Sequence, residues 1–161
     1  MGTVTEEKMS HLNDRGEVHM VDVGEKSITR REATAEGEVL MTEDLVSRFL
    51  DGDLPKGDAA ATARVAGIMA AKKTHELIPL CHPLPISGVE VSLESTGHGI
   101  RVLAKVSTDG RTGVEMEAMT AVSVAALTIY DMVKGIDRNV EIASIRLLRK
   151  AGGRSGTWER S

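Results

Sequence analysis

The feature that most constrains this chain is one long apolar stretch towards its C-terminal end. The run EAMTAVSVAALTIYDMVKG, residues 117–135, carries small and aliphatic side chains on nearly every side until Asp131 and Lys134. A helix that is apolar all round has to be buried inside a protein. The sequence therefore predicts a central helix here, which the rest of the chain has to cover.

The residues before this helix change from a helical period to a period of two. Val89, Val91 and Leu93 alternate with polar residues, STGHG then turns the chain, and residues 100–106 alternate in the same way. This pattern predicts a half-buried β-hairpin. Further extended segments are predicted at residues 19–24, within residues 27–41, and at residues 140–150.

Two shorter helices are predicted upstream of the hairpin. TEDLVSRFL begins with Thr42, a capping residue that is followed by two acids. Asp58 caps the alanine-rich run AAATARVAGIMAAKK, in which Val65, Ile68 and Met69 are interpreted as the residues that face the core. Together these elements predict an α+β fold, an open antiparallel sheet covered by helices on one face.

Composition narrows the class of protein. The chain has 161 residues, of which 41% are hydrophobic and 27% charged, as expected for one globular domain. No signal peptide and no membrane-spanning run are predicted, so the default location is the cytoplasm. A net charge of −4 and only three aromatic residues argue against nucleic-acid binding. A small anionic ligand needs only a local basic patch and stays compatible with this composition.

Asp131 and Lys134, at the end of the apolar helix, share one face because they are three residues apart. One interpretation is an ordinary surface ion pair, which contributes little. The other is a desolvated pair used for proton transfer, favoured by the three apolar turns before it. The sequence leaves both interpretations open.

The start of the same helix carries two glutamates. Glu115 and Glu117 in TGVEMEAM are two apart, so in a helix their side chains point in nearly opposite directions. They would converge on one ligand only if this stretch enters the helix in extended form. The alternative is that both simply complement the positive helix N-terminus.

Basic residues cluster at predicted loops and element ends. In an extended strand Arg146 and Lys150 share a face, and the glycines of GGRSG let the backbone approach an anion closely. This predicts an anion site, although each charge alone is compatible with a solvated surface residue. The cations considered for it are Lys56, Lys72, Lys73, Arg146, Arg149, Lys150 and Arg154.

The stretch LIPLCHPLP, residues 77–85, holds three of the four prolines and the only cysteine. Adjacent residues such as Cys81 and His82 rarely chelate one metal ion, and no CxxC or HxxxH partner accompanies them. Cys81 is interpreted as a buried, inert thiol. The prolines fix the direction of His82, which either donates to a phosphate or exchanges protons, or is a turn histidine with its own partners.

Several of these stretches resemble one known family. KGDAAATARVAGIMAAKKTHELIPLCHPLPISGVEV, TGVEMEAMTAVSVAALTIYDMVK and IRLLRKAGGRSG, with HMVDVGEKSITRREA upstream, are similar to the molybdenum cofactor biosynthesis protein C family, the cyclic pyranopterin monophosphate synthases. The resemblance covers residues 9–157. It implies a ferredoxin-like fold with residues 18–157 as one catalytic domain and residues 158–161 as a C-terminal tail. Residues 1–17 are polar and are predicted to be a mobile N-terminal extension.

The resemblance also implies an activity. The family converts 3′,8-cyclo-7,8-dihydroguanosine 5′-triphosphate into cyclic pyranopterin monophosphate and releases pyrophosphate, as a lyase that acts by general acid/base catalysis. It implies no cofactor and no metal, no membrane or nucleic-acid partner, and a homohexamer built as a trimer of dimers. The active site of the family lies at the dimer interface.

Site residues follow from the resemblance position by position. Asp131 and Lys134 match a catalytic acid/base pair, and Lys56 matches the lysine of the KGD motif. The residues expected to bind substrate are Arg31, Lys73, Cys81, His82, Glu115, Met116, Glu117 and Lys150. This chain has GGRSG where the family commonly has GGKSG, so the role of Arg154 stays open.

Two other classes of function compete with a synthase. A non-catalytic module that binds a phosphorylated pterin or nucleotide would keep the basic residues, but it would not need Lys134 for proton transfer. A metal-dependent phosphohydrolase using His82 and the glutamates would lose activity in chelator. Replacing Lys134 by alanine, or adding chelator, separates these two from an acid/base enzyme.

Overall fold

A five-stranded antiparallel sheet forms one layer of the fold. The computed structural model describes residues 10–161. Its strands are β1 (Thr29–Leu40), β2 (Ile86–Ser95), β3 (Gly99–Gly110), β4 (Glu141–Ala151) and β5 (Trp158–Glu159), in the spatial order β2-β3-β1-β4-β5. With β1 between β3 and β4, the first four strands have the ferredoxin-like order. The predicted α+β fold is confirmed.

The helices form the second layer. They are α1 (Glu43–Asp51), α2 (Ala59–Lys72), α3 (Thr74–Leu77) and α4 (Glu115–Val133). Thr42 caps α1 by accepting from the Leu45 N–H, and Asp58 caps α2 by accepting from the Ala61 N–H. Both predicted caps are therefore confirmed. The short α3 and the strand β5, which lies within the expected C-terminal tail, were not predicted.

Helix α4 is the central element of the core. It packs against β1, β3 and β4 on one side and against α2 on the other. By length and mean hydropathy alone it would be able to cross a bilayer. Its buried residues, including Ala121, Ala125 and Ile129, are covered by the sheet and by α2. The prediction of a buried central helix is confirmed.

The face of the sheet away from the helices carries charged side chains. Glu36 of β1 accepts from the Nε of Arg101 at 2.7 Å and from the Nε of Arg146 at 2.6 Å. Burial alone would raise the pKa of Glu36, but the hydrogen bonds and charges of the two arginines outweigh it and hold the pKa below its ordinary value. This carboxylate therefore ties β3 and β4 to the central strand.

The predicted strand at residues 19–24 is wrong. An isolated bridge joins Leu12 to Val18 just before these residues, and the chain turns at Gly24, whose N–H donates to the Asp22 carboxylate. That turn diverts the chain before it can join the sheet. Of the expected N-terminal extension, residues 1–9 lie outside the described residues.

The predicted core-facing side of α2 is confirmed only for Ile68, which is partly buried and packs against the core. Val65 and Met69 are 57% and 53% exposed, whereas Ala63, Gly67 and Ala70 are buried. A Cβ on Gly67 would lie 3.0 Å from the Ala121 carbonyl and 3.3 Å from the Ala125 Cβ. The two helices are so close that only small residues fit between them, and the larger side chains are left on the outside.

Strand β4 contains a bulge that changes which residues share a face. The register with β1 shifts between Thr34 and Ala35, so that Arg146 opposes Glu36 whereas Lys150 opposes Ala33. An extra residue in one strand reverses the side-chain alternation beyond it. Arg146 and Lys150 therefore lie on opposite faces, and the prediction that they share one is wrong.

The close packing of α4 on β1 gives a stability prediction. A Cβ at Gly37 would lie 2.6 Å from the Val122 Cγ1 and 3.2 Å from the Ser144 carbonyl. We expect Gly37→Ala to lower the free energy of unfolding by about 1–3 kcal/mol because the core has to shift to accept the methyl group. The urea midpoint at unchanged slope measures this.

Gly135 is the matched control, because a Cβ there meets no atom within 4 Å. Gly135→Ala should change the free energy of unfolding by less than about 0.5 kcal/mol. Equal stability of the two variants would contradict the packing argument.

Candidate active site

Several loops meet at the N-terminal end of α4 and enclose a cavity of about 390 Å³, here the first cavity. The loop between α3 and β2 contributes Cys81 and His82, and the start of α4 contributes Glu115, Met116 and Glu117. The structure thus brings together the predicted residues of the proline-rich loop and of the TGVEMEAM motif. Their convergence defines a candidate binding site.

The proline-rich loop is held at several points. The Cys81 N–H donates to the Ile78 carbonyl at 3.1 Å, and the Thr108 hydroxyl donates to the Pro85 carbonyl at 2.7 Å. The His82 Nε2 lies 2.7 Å from the Val21 carbonyl and donates to it when that nitrogen carries the proton. His82 therefore has a protein partner in this state, and its other ring nitrogen is left for a ligand.

The two glutamates meet in the first cavity without an extended segment between them. Both belong to the first turn of α4, which begins at Glu115. The cavity lies across the end of this helix, so side chains that leave the turn in different directions still reach it. The expectation that they converge only in extended form is therefore wrong.

Glu117 is the most deeply placed acid of the site. Its residue is 4% exposed. Burial raises the pKa of Glu117 to about 7, with a smaller contribution from the charge of Glu115. Near neutral pH this carboxyl group is therefore partly protonated and is able to donate as well as accept a hydrogen bond.

Cys81 was predicted to be buried and is only partly buried. Burial raises the pKa of the Cys81 thiol, and the nearby Glu117 charge raises it further. A thiol of this kind is a weak nucleophile at neutral pH. Within residues 10–161, no three His, Cys, Asp or Glu side chains are placed together as metal ligands.

A second cavity of about 200 Å³ adjoins the first and is lined mainly by polar groups. The cations on its walls are Lys26, Arg31, Arg111 and Lys150, and the two cavities share Glu115 and Lys26. The Lys150 Nζ lies 3.3 Å from the Glu115 carboxylate and 3.1 Å from the Ser155 hydroxyl. The second cavity is also lined by the carboxylates of Glu32 and Glu115, but its four cations outnumber them. An acidic, partly apolar cavity therefore adjoins a more cationic one.

Arg31 connects two loops of the second cavity. Its Nε donates to the Gly110 carbonyl at 2.9 Å, and its Nη2 donates to the Arg111 carbonyl at 3.1 Å. A Cβ on Gly153 would collide with this guanidinium, and Gly153 has a positive φ of 74°. The glycines of GGRSG thus make room for Arg31. Arg154 lines a third cavity of about 430 Å³, which also includes Lys26 and Arg31.

Asp131, Lys134 and Lys56 form a separate cluster, here the helix-end triad. The Lys134 Nζ lies 2.8 Å from Asp131 Oδ1, and the Lys56 Nζ lies 3.2 Å from Asp131 Oδ2. Hydrogen bonds from Lys134 and Lys56, with their charges, hold the pKa of Asp131 below its ordinary value. The three side chains are 45–55% exposed, so within one chain the Asp131–Lys134 pair is a surface ion pair and not a desolvated one.

The helix-end triad and the first cavity lie at opposite ends of α4. At a rise of about 1.5 Å per residue, the Cα atoms of Glu115 and Asp131 are about 24 Å apart. Lys73 lines none of the three cavities; it caps the C-terminus of α2, where its N–H donates to the Ala70 carbonyl. A single chain therefore does not bring all of the predicted site residues together.

Sequence reasoning missed Lys26 and Arg111 as site residues. Arg111 follows the last residue of β3, and its guanidinium donates to the Gly24 carbonyl. Lys26 lies between the two extended segments that were predicted at residues 19–24 and 27–41. Their positions next to HMVDVG and TGVEMEAM, both used for the resemblance, were the available signal.

Comparison with known proteins identifies the class. The MoaC family model matches residues 20–153. A cyclic pyranopterin monophosphate synthase of Roseiflexus castenholzii is 57% identical over 150 residues, covering 92% of this chain and 95% of the relative. Proteins with the same name from Chloroflexus aurantiacus and Streptomyces avermitilis are 53% and 50% identical, covering 95% and 99% of this chain and 95% and 94% of the relatives. The chain belongs to the MoaC family.

The buried carboxyl group gives a prediction about pH. The pKa of Glu117 rises from 4.5 to about 7 in the folded protein, so the unfolded chain loses this proton at lower pH than the folded chain does. The contribution of Glu117 to the free energy of unfolding is therefore complete below pH 4.5 and falls as the pH rises to about 7. At about 1.4 kcal/mol per pKa unit, the loss is roughly 3 kcal/mol.

Glu117→Gln keeps the shape and removes the titration. The free energies of unfolding of the wild type and this variant are measured in urea at pH 5 and at pH 8. We expect the wild type to become less stable relative to the variant at pH 8. The same difference at both pH values would show that Glu117 is ionised in the folded protein at pH 5.

Proposed function

We propose that this chain is a cyclic pyranopterin monophosphate synthase in molybdenum cofactor biosynthesis. It would act as a cytoplasmic lyase without a resident cofactor, with residues 18–157 as its catalytic domain. The substrate is 3′,8-cyclo-7,8-dihydroguanosine 5′-triphosphate, and the products are cyclic pyranopterin monophosphate and pyrophosphate. One observation carries the proposal: in this MoaC family chain an acidic cavity adjoins a cationic cavity. The substrate has a ring at one end and phosphates at the other, so it needs two such neighbouring cavities.

The first cavity is assigned to the guanine-derived ring. Glu115 and Glu117 offer carboxyl oxygens to ring N–H groups, and Glu117 in its protonated form also donates to a ring acceptor. Met116 and Cys81 supply apolar surface beside them. His82 faces the same cavity from the proline-rich loop and is proposed to bind a phosphate oxygen.

The second cavity is assigned to the triphosphate. Lys150 and Arg31 lie on its walls, and their charges stabilise the pyrophosphate as it leaves. Because the guanidinium of Arg31 already donates to two backbone carbonyls, it also positions the loop that carries Arg111. Lys73 remains a proposed phosphate ligand only if another copy of the chain brings it near.

The helix-end triad is proposed to transfer protons. Asp131 stays ionised and orients Lys134 and Lys56, which exchange protons with the rearranging ring. A general acid or base has to come within hydrogen-bond distance of the atom it serves. The triad is about 24 Å along α4 from the glutamates of its own chain, so the two groups meet on one substrate only if they come from different copies.

We therefore propose that two copies complete each active site, within a homohexamer built as a trimer of dimers. Exposed apolar side chains on the helical layer support an association of this kind. Val65, Met69 and Leu127 are each more than half exposed although they are aliphatic. Surfaces of this composition are typical of contacts between proteins.

The first test of the synthase is a single-turnover reaction with the cyclic guanosine triphosphate, followed by mass spectrometry for pyrophosphate and pyranopterin. We expect product from the wild type, with and without chelator, and a rate lowered about 10²–10⁴-fold in Lys134→Ala because a proton-transfer group is lost. Lys105→Ala, which removes a half-exposed lysine of β3 that lines none of the three cavities, is the control and should react like the wild type.

Other outcomes would identify the competing classes. Substrate that binds and returns unchanged from the wild type would favour a binding module. Activity lost in chelator would favour a metal-dependent phosphohydrolase.

The composite site is tested by mixing two inactive variants. Lys134→Ala leaves the first cavity intact, and His82→Gln leaves the helix-end triad intact. Random mixing gives one dimer in two that contains both variants. If each site takes one group from each copy, one of the two sites in such a dimer is fully wild type, so about a quarter of the wild-type activity returns. Co-expression with two affinity tags and a turnover assay measures this. Activity no higher than that of the parent variants would mean that each chain builds its own site.

A further inference from the structure

The turn before α2, residues 54–58, reaches the C-terminal end of α4; it is here called the LPKGD turn. The Lys56 Nζ donates to the Asp131 carbonyl at 2.7 Å as well as to Asp131 Oδ2 at 3.2 Å. The last four carbonyls of a helix have no partner inside the helix, and the Asp131 carbonyl is one of them because α4 ends at Val133. Lys56 therefore binds the backbone end of α4 in addition to the carboxylate.

The direction of Lys56 depends on the backbone that carries it, because its side chain is flexible and 45% exposed. Pro55 and Lys56 are the central residues of a β-turn, which the Gly57 N–H closes by donating to the Leu54 carbonyl at 2.9 Å. Proline at the first central position and glycine after the second are typical of such turns. Leu54 is buried in the core, so the turn starts from a fixed point.

Gly57 and Asp58 fix the other end of the LPKGD turn. Gly57 has a φ of 89°, which residues with a Cβ rarely adopt. The Asp58 carboxylate accepts from the Ala61 N–H at 2.9 Å, and the Asp58 carbonyl accepts from the Thr62 hydroxyl at 2.7 Å. Since α2 packs against α4, this cap also fixes the turn relative to Asp131.

We propose that Gly57 and Asp58 are positioning residues of the reaction, which set the backbone from which Lys56 reaches Asp131. This inference rests on the proposed function, in which Lys56 exchanges protons with the ring. A proton-transfer group has to lie within hydrogen-bond distance of the atom it serves, and a displacement of about 1 Å costs up to about a hundredfold in rate. The half-exposed Lys56 side chain has to obtain this precision from its turn.

Gly57→Ala and Gly52→Ala are a matched pair. Both glycines have a positive φ, 89° and 72°, and a Cβ at either position meets no atom within 4 Å. The two variants therefore carry similar backbone strain, but Gly52 caps α1 and lies outside the LPKGD turn. We expect Gly57→Ala to lower kcat for pterin formation about 10–10²-fold with KM within about twofold. Gly52→Ala should keep the wild-type kcat.

The titration of Asp131 provides a readout that needs no turnover. Hydrogen bonds from Lys134 and Lys56 hold the pKa of Asp131 below its ordinary value. When Lys56 is displaced, this pKa should rise. Carboxyl ¹³C NMR of the full-length protein measures it, with Asp131→Asn to assign the signal. We expect the rise in Gly57→Ala and an unchanged midpoint in Gly52→Ala.

The cap is tested in the same two assays. Asp58→Ala removes it, whereas Asp58→Asn keeps a residue that caps equally well. Thr42→Ala removes the corresponding cap of α1 and is the control. We expect Asp58→Ala to reproduce both effects of Gly57→Ala, and the other two variants to behave like the wild type.

The inference is overturned if Gly57→Ala keeps the wild-type kcat or the wild-type titration of Asp131, or if Gly52→Ala and Thr42→Ala have the same effects. A wild type that makes no pterin would contradict the synthase. The Asp131 titration in that protein would still decide whether the LPKGD turn positions Lys56, so the two proposals fail separately.

Discussion

The close contact of α4 with its neighbours is the constraint on which the rest of the structure depends. Gly37 of β1 lies under Val122 on one side of the helix, and Gly67 of α2 lies against Ala121 and Ala125 on the other. Residues without long side chains bring backbones close enough for a dense interior. Because α4 is fixed on two sides, its ends are fixed as well. Its N-terminal end carries the glutamates of the first cavity, and its C-terminal end carries Asp131 and Lys134 of the helix-end triad.

The two ends of α4 differ in their electrostatics. At the N-terminus, Glu115 and Glu117 lie in the first turn, where the helix dipole favours negative charge, yet burial is strong enough to raise the pKa of Glu117. At the C-terminus the dipole disfavours Asp131, and Lys134 and Lys56 more than offset this. The result is a carboxyl group able to carry a proton at one end and an ionised carboxylate between two lysines at the other.

Local patterns predicted much of the fold because each depends on a few neighbouring residues. The hairpin follows from its alternation, and the helix starts follow from Thr42 and Asp58. The predictions failed where the deciding partner is distant in the sequence. Val65 and Met69 looked like core residues, but the closeness of α4 leaves room only for the small residues of α2. One extra residue in β4 likewise separated Arg146 from Lys150.

In the candidate site, too, residues within local motifs were found from the sequence, whereas residues placed by distant contacts were missed. Cys81, His82, Glu115, Met116 and Glu117 lie in two motifs, and all five line one cavity. Lys26 and Arg111 were missed because their importance comes from a turn and a strand end that meet only in the folded chain. Lys73 was included because it matches a basic position of the family, but at the end of α2 it lies outside the three cavities.

The exposure of the helix-end triad gives a physical reason for a site that is completed by a second copy. In water, the interaction of Asp131 with Lys134 and Lys56 is screened, and such groups have little advantage over free side chains as catalysts. A protein surface placed over the triad would exclude water and strengthen each of these interactions. In the proposed assembly the partner supplies that surface together with the substrate bound to its own first cavity. The acid/base groups would then be desolvated and would lie next to the bound ring. A single chain does not achieve this, because its triad and its first cavity are about 24 Å apart along α4.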